Sequence, residues 1–237
     1  MAQTPSSTPA AARNRADQPR IRDRIAMGLH RGRFVFWSAF GALALLLVGY
    51  FVYIEVDKGR RERATVLAEE AGKQFDEWKA AAAGEKRDVL EKALAEKLDL
   101  INRKYPRQYA AQRARLLRAD VLVAGEKWEQ AAREYTTLAG AFRGSYLAPL
   151  ALFNAAVCLE DAKNEAGAIE TYGRVIQSYP KSYLTPHALF SRGRLYETTG
   201  DLEKAKTDYQ NLADNHSTSS WTRLAKNRIL ALQIKGR

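Results

Sequence analysis

SYLAPLALF at Ser145–Phe153 returns 37 residues later as SYLTPHALF at Ser182–Phe190. Carried outward, the same offset aligns Ala131 with Ala168 and Ala205, Tyr135 with Tyr172 and Tyr209, and Leu138 with Val175 and Leu212. Ala119, Ala156 and Gly193 form a further column of small residues. Self-similarity of this length belongs to supersecondary units that stack in a row and bury their apolar faces against neighbours, rather than to one closed core.

The spacing inside a unit is helical. Ala168 and Tyr172 stand at i and i+4 and so share one helix face, while a small residue at Ala156 lets a second helix approach closely. Each unit is therefore a helix pair. The pattern resembles the tetratricopeptide repeat, whose small residue, aromatic, Ala, aromatic and closing Pro correspond to Ala156 or Gly193, Leu159 or Tyr196, Ala168 or Ala205, Tyr172 or Tyr209, and Pro180. The family's early Trp is Leu152 or Leu189 here, Ser217 stands where the last Pro is expected, and the period exceeds the family's roughly 34 residues.

Phe34–Ile54 holds no charged residue, and its 21 positions make about 32 Å of helix at ~1.5 Å per residue, the thickness of a bilayer core. Phe34, Phe36 and Trp37 at one end and Tyr50, Phe51 and Tyr53 at the other are placed as interfacial aromatic belts. A cleaved signal peptide has an apolar region of only ~7–15 residues closed by a small-x-small site. This run is longer and passes into GYFVYIEVDK, so it is expected to be a retained anchor. No Cys follows it to carry a lipid.

The net charge of +11 divides unevenly, since seven Arg against Asp17 and Asp23 precede the span. After the span, Glu55, Asp57 and Glu62 are mixed with Lys58, Arg60, Arg61 and Arg63. That imbalance predicts a cytoplasmic N-terminus and repeats on the outer side of an inner membrane, in the periplasm of a two-membrane bacterium. The repeats lack a Lys/Arg cluster interleaved with aromatics, so nucleic acid is not an expected partner.

In chain order, residues 1–33 form a basic cytoplasmic tail expected to be disordered, with Pro5, Pro9 and Pro19 among polar residues and little to bury. Residues 34–56 are the transmembrane helix, residues 57–106 a degenerate first repeat, and residues 107–237 the regular repeats with a closing helix. In the first repeat a helix is expected at about 59–83, ended by Gly84, and a second at 86–104 before Pro106. Pairs follow at about 107–124 with 127–141, 146–161 with 164–178, and 183–199 with 201–214, and the closing helix at 221–234. Gly125, Asn164-Glu165 and Gly200-Asp201 supply the turns within pairs. The fold class is all-α: one transmembrane helix and an α-solenoid of helix pairs.

Sites for chemistry are not apparent. His30, His187 and His216 are not spaced with Cys, carboxylate or each other as metal ligands, and His187 is expected on an exposed helix face. No phosphate loop or G-x-S-x-G elbow occurs, and Ser217–Ser220 is a polar turn and helix start. Cys158, the sole cysteine, sits among apolar residues as a packed thiol. No enzyme activity, cofactor, metal or small-molecule substrate is expected.

The family resemblance implies instead a partner-binding groove lined by the first helices. It maps groove positions onto Arg113 and Asp120 in one unit, Asn154, Glu160 and Asp161 in the next, and His187, Ser191, Arg194 and Glu197 in the third. Asn154, whose amide both donates and accepts, and Arg194 are expected to stand clear of the packed columns. Tail, anchor and exported array together resemble the membrane-anchored tetratricopeptide proteins of the secretion translocon. The wording from Ala168 to Ser182 is similar to the repeats of the cell-division coordinator and of the β-barrel assembly lipoprotein. The resemblance implies a non-catalytic envelope scaffold in protein export, periplasmic chaperoning or outer-membrane assembly. A structural or regulatory subunit of an inner-membrane secretion or division complex is the second expectation, and an enzyme or peptidoglycan-binding factor the third.

Overall fold

The computed structural model describes residues 21–235, and in that range it is all-α, with helices α1 to α9. The first twenty residues of the expected basic tail lie outside the described residues. The chain divides into two compact units, Met1–Gly59 and Arg60–Arg237.

Helix α1 (Ile21–Ala80) crosses that division. It differs from expectation twice, because it already includes residues 21–33 of the tail and because it joins the span to the helix expected at 59–83. The physical reason is local: no Pro interrupts Ile21–Ala80, and an isolated Gly59 costs only about 1 kcal/mol in a helix that continues on both sides. Within the first unit it is the one helix among the described residues long and apolar enough to cross a membrane. Val35, Phe40, Leu43, Leu45, Leu46 and Leu47 are all at least half exposed, the opposite of a soluble core helix. Trp37 packs edge-on against Phe40, and Tyr50 against Phe51. The side chains of Phe34 and Phe36 lie outside the described residues.

In the second unit, residues 60–80 of α1 pack with α2 (Glu85–Lys104) and the start of α3. Then come the pairs α3 (Tyr109–Ala124) and α4 (Trp128–Ala141), α5 (Leu147–Asp161) and α6 (Glu165–Ser178), and α7 (Thr185–Thr198) and α8 (Leu202–Asn215). Helix α9 (Ser220–Lys235) closes the row against α7 and α8. Every helix from α2 to α9 lies within about two residues of its expected position.

The columns explain the stack. Ala119, Ala131, Ala156, Ala168 and Ala205 have no exposed surface, and Tyr135, Tyr172, Tyr209, Leu138, Val175 and Leu212 are 3% exposed or less. Small residues bring the two helices of a pair together, and the tyrosine ring of the second helix fills the gap over the first. The last pair shows how little room remains: a Cβ on Gly193 would lie 2.7 Å from Tyr209 Cε1. In the first repeat Leu94, Leu98 and Ile101 take the places of Ala, Tyr and Leu, and the C-cap still repeats: Tyr105, Phe142, Tyr179 and His216 each donate their backbone N–H four residues back.

Turns within pairs repeat as well. The backbone N–H groups of Lys127, Asn164 and Asp201 reach back five residues, and those of Glu126, Lys163 and Gly200 three residues. This is the double bond of a Schellman turn, which requires a left-handed residue. That residue is Glu126 (φ 56°), Lys163 (φ 63°) and Gly200 (φ 85°) in successive pairs. Gly125, expected to make the first turn, has φ −93°.

Candidate partner-binding face

Successive units are bonded to one another along their first helices. Tyr109 on α3 meets Tyr146, at the N-cap of α5, through their hydroxyls at 3.0 Å, and Ser145 Oγ donates to Gln112 at 2.5 Å. Phe153 on α5 packs on His187 of α7 (ring centroids 4.5 Å), and His187 stacks on Trp221 of α9 at 3.8 Å. On the side of the second helices, Tyr179 Oη at the C-cap of α6 donates to the backbone carbonyl of Arg143, just past α4, at 3.0 Å. The first helices α3, α5 and α7 hold all nine positions mapped from the family groove, and the side they line is the candidate face.

That face is organised by the buried tyrosines. Tyr135 Oη donates to Asp120 at 2.5 Å, Tyr172 Oη to Glu160 at 2.7 Å, and Tyr209 Oη to Glu197 at 2.6 Å. Burial first, and then the adjoining carboxylate, pushes all three phenols far above their ordinary value, so they remain donors. Arginines of the next first helix close two of these pairs: Arg194 bonds Glu160, and Arg228 bonds Glu197 through both Nε, at 2.9 Å, and Nη2.

Several expected positions are therefore less independent than the sequence suggests. Arg194 is held by Glu160, and Asn154 lies beside the Tyr135 hydroxyl, so neither stands clear of the aromatic columns. Ser191 is 6% exposed and sits against the Tyr172 hydroxyl. His187 is half-buried between Phe153 and Trp221, not on an exposed face, and burial lowers its basicity. The cause is α9, whose Trp221 covers a side that would be open in a chain ending at α8. Arg113 is exposed on the face and reaches back to Gly72 of α1, and Asp161 is exposed at the end of α5.

Three residues of the face escaped the sequence expectations. Tyr109, Tyr146 and Tyr183 are 48%, 72% and 78% exposed, and they recur at the 37-residue period beside the start of each first helix. For Tyr146 and Tyr183 the signal was present in the two SYL triplets, whose Tyr precedes a packed Leu. Arg228, on the closing helix, carried no repeat signal because α9 has no second copy.

Among the described residues no group of three His, Cys, Asp or Glu side chains is placed to hold a metal ion. Burial pushes the Cys158 thiol up to about 11, the state of a packed thiol rather than a nucleophile. Arg192 and the 3% exposed Asp208 form a two-pronged pair at 2.7 and 2.6 Å that ties α7 to α8 and serves packing.

Comparison with known proteins agrees with this geometry. Residues 116–183 and residues 187–219 each match the tetratricopeptide repeat. Over 120 residues, half of this chain, the sequence is 34% identical to a TPR repeat-containing protein of Treponema pallidum (strain Nichols). The matched region spans about half of that relative's length, 49%. Helix pairs, small-residue and tyrosine columns and both matches identify residues 116–183 and 187–219 as tetratricopeptide repeats, and proteins built from such repeats are generally non-catalytic scaffolds for protein–protein interaction.

Proposed function

We propose that this protein is a single-pass, membrane-anchored scaffold that holds a protein or peptide partner along the face made by its first helices. The tail stands in the cytoplasm, the apolar stretch of α1 lies in the inner membrane, and the repeats work on the outer side in export, chaperoning or assembly. Support for the anchor comes from the exposed apolar run of α1 and from the arginine excess before it. The observation that carries the binding role is the exposed tyrosine column Tyr109, Tyr146 and Tyr183. Tyrosine is a favoured interface residue, and the rings of Tyr146 and Tyr183, 72% and 78% exposed, are open to a contact.

Crosslinking in intact cells tests this. A photoreactive residue in place of Val157 or Tyr183, both exposed on the first-helix side, is expected to capture protein. The same residue in place of Lys206, exposed on α8, is expected to capture none. Capture from Lys206 alone moves binding to the outer face and removes the groove assignment.

A further inference from the structure

Two of the three tyrosine–carboxylate pairs on the first-helix face are finished by an arginine of the next unit, and one is not. Glu160 receives Tyr172 on one oxygen and Arg194 on the other. Glu197 receives Tyr209 and both prongs of Arg228. Asp120 receives Tyr135 on Oδ1, and no side chain among the described residues bonds its Oδ2. That oxygen is not sealed in the core either, since it is absent from the buried polar atoms that lack a partner. Lys79 attracts the carboxylate from a distance but makes no ion pair with it.

Sequence register shows what is missing. One repeat of 37 residues before Arg194 stands Val157, and one repeat before Ser191 stands Asn154. Asn154 lies at the Tyr135 hydroxyl, as Ser191 lies at the Tyr172 hydroxyl, and Val157, at the place of Arg194, is exposed and apolar. Neither Val157 nor Asn154 brings a charge, so the half-buried Asp120 carboxylate lacks the bonded arginine that Glu160 and Glu197 possess. The protein's own arginines thus display the ligand that such a pair takes.

We propose that Asp120 receives a lysine or arginine side chain of the bound partner, which enters beside Asn154 and completes the series that Arg194 and Arg228 complete from within. This rests on the first-helix face being the binding face. Charge complementarity sets the partner's chemistry: the position repels an acidic side chain and leaves an apolar one with nothing to offer Oδ2. Burial already raises the Asp120 carboxyl, so a cation arriving there relieves a standing cost.

The experiment uses the full chain in detergent micelles and three fluorescent decapeptides of alternating Ala and Ser, with one central Arg, Leu or Glu. The Arg peptide is expected to bind at least tenfold tighter than the Leu peptide, a difference of about 1.4 kcal/mol, and the Glu peptide more weakly still. D120N is expected to erase the preference while keeping helicity and melting no lower than the parent. N154R, which supplies the guanidinium internally, is expected to erase it too and to melt higher. Equal affinities for the Arg and Leu peptides, no binding of any peptide, or an Arg preference that survives in both variants overturns the assignment of Asp120. Crosslinking from Val157 in cells separates the two levels. If it persists while the Arg preference is absent, the face stands and the Asp120 assignment falls. If it is absent as well, the face itself is wrong.

Discussion

Lys163 and Glu126 hold a left-handed backbone conformation that Gly200 holds at the equivalent turn. A residue with a Cβ pays about 1–2 kcal/mol for that conformation, whereas glycine pays through greater freedom of the unfolded chain. Lys163→Gly and Glu126→Gly are therefore each expected to stabilise the array by about 0.5–1 kcal/mol, read as a rise in melting temperature. One residue further on, Asn164 and Asp201 accept from the backbone N–H groups of Gly167 and Lys204 as N-caps, while Lys127 at the same position caps nothing. Lys127→Asp should add about 1 kcal/mol, and an unchanged melt would show that α4 is already capped by solvent. Asp120 has a pH signature. Burial is the largest influence on its carboxyl and raises it above the ordinary 3.8. Between 3.8 and that higher folded value the native state holds more protons than the unfolded one, so this group's contribution falls as pH rises. D120N is accordingly expected to melt at or above the parent at pH 7, with the difference closing toward pH 4.

At the level of helices, the tight crossings decide stability. Gly193→Ala forces a Cβ to 2.7 Å from the ring of Tyr209, which has no free side to retreat to in a column with 0% exposure. Even after the ~1 kcal/mol that alanine returns in helix propensity, a net loss of about 1–3 kcal/mol is expected. Ala168→Trp should cost at least as much, since Ala168 is completely buried between α5 and α6. Parental melting of both variants would show that the columns do not mark the crossings. These crossings were legible in the sequence because packing writes a periodic record: Ala168 and Tyr172 recur, and their spacing admits only a helix pair. The polar bonds of the face left no such record. Glu160 and Asp120 perform the same task one turn apart, and Arg228 sits three residues before the repeat position of Arg194, so aligned columns do not reveal them. The continuity of α1 was hidden for another reason. Gly59 and the change from apolar to charged residues at 55–63 look like a boundary in the sequence, yet they do not end the helix.

For the whole molecule, the proposed anchor makes the side of the membrane that receives the repeats the decisive quantity. The first unit supplies the asymmetry in its sequence: seven Arg against two Asp before the apolar run, and three acids among four bases just after it. Basic residues near the end of a span hold that end in the cytoplasm, and acids contribute little to the choice. The four bases that follow the span weaken the bias without cancelling it, since the seven before it remain the larger number. A reporter that matures only outside the cytoplasm, fused after Arg237, is therefore expected to be active, and a cytoplasm-dependent reporter at the same place silent. Replacing Arg22, Arg24, Arg31 and Arg33 by Ala leaves three Arg before the span against four bases after it, so the activity is expected to divide between the two reporters. If the parental chain lights only the cytoplasmic reporter, the repeats face the cytoplasm and the envelope role is lost. The first-helix face and its open position at Asp120 would then await a cytoplasmic partner instead.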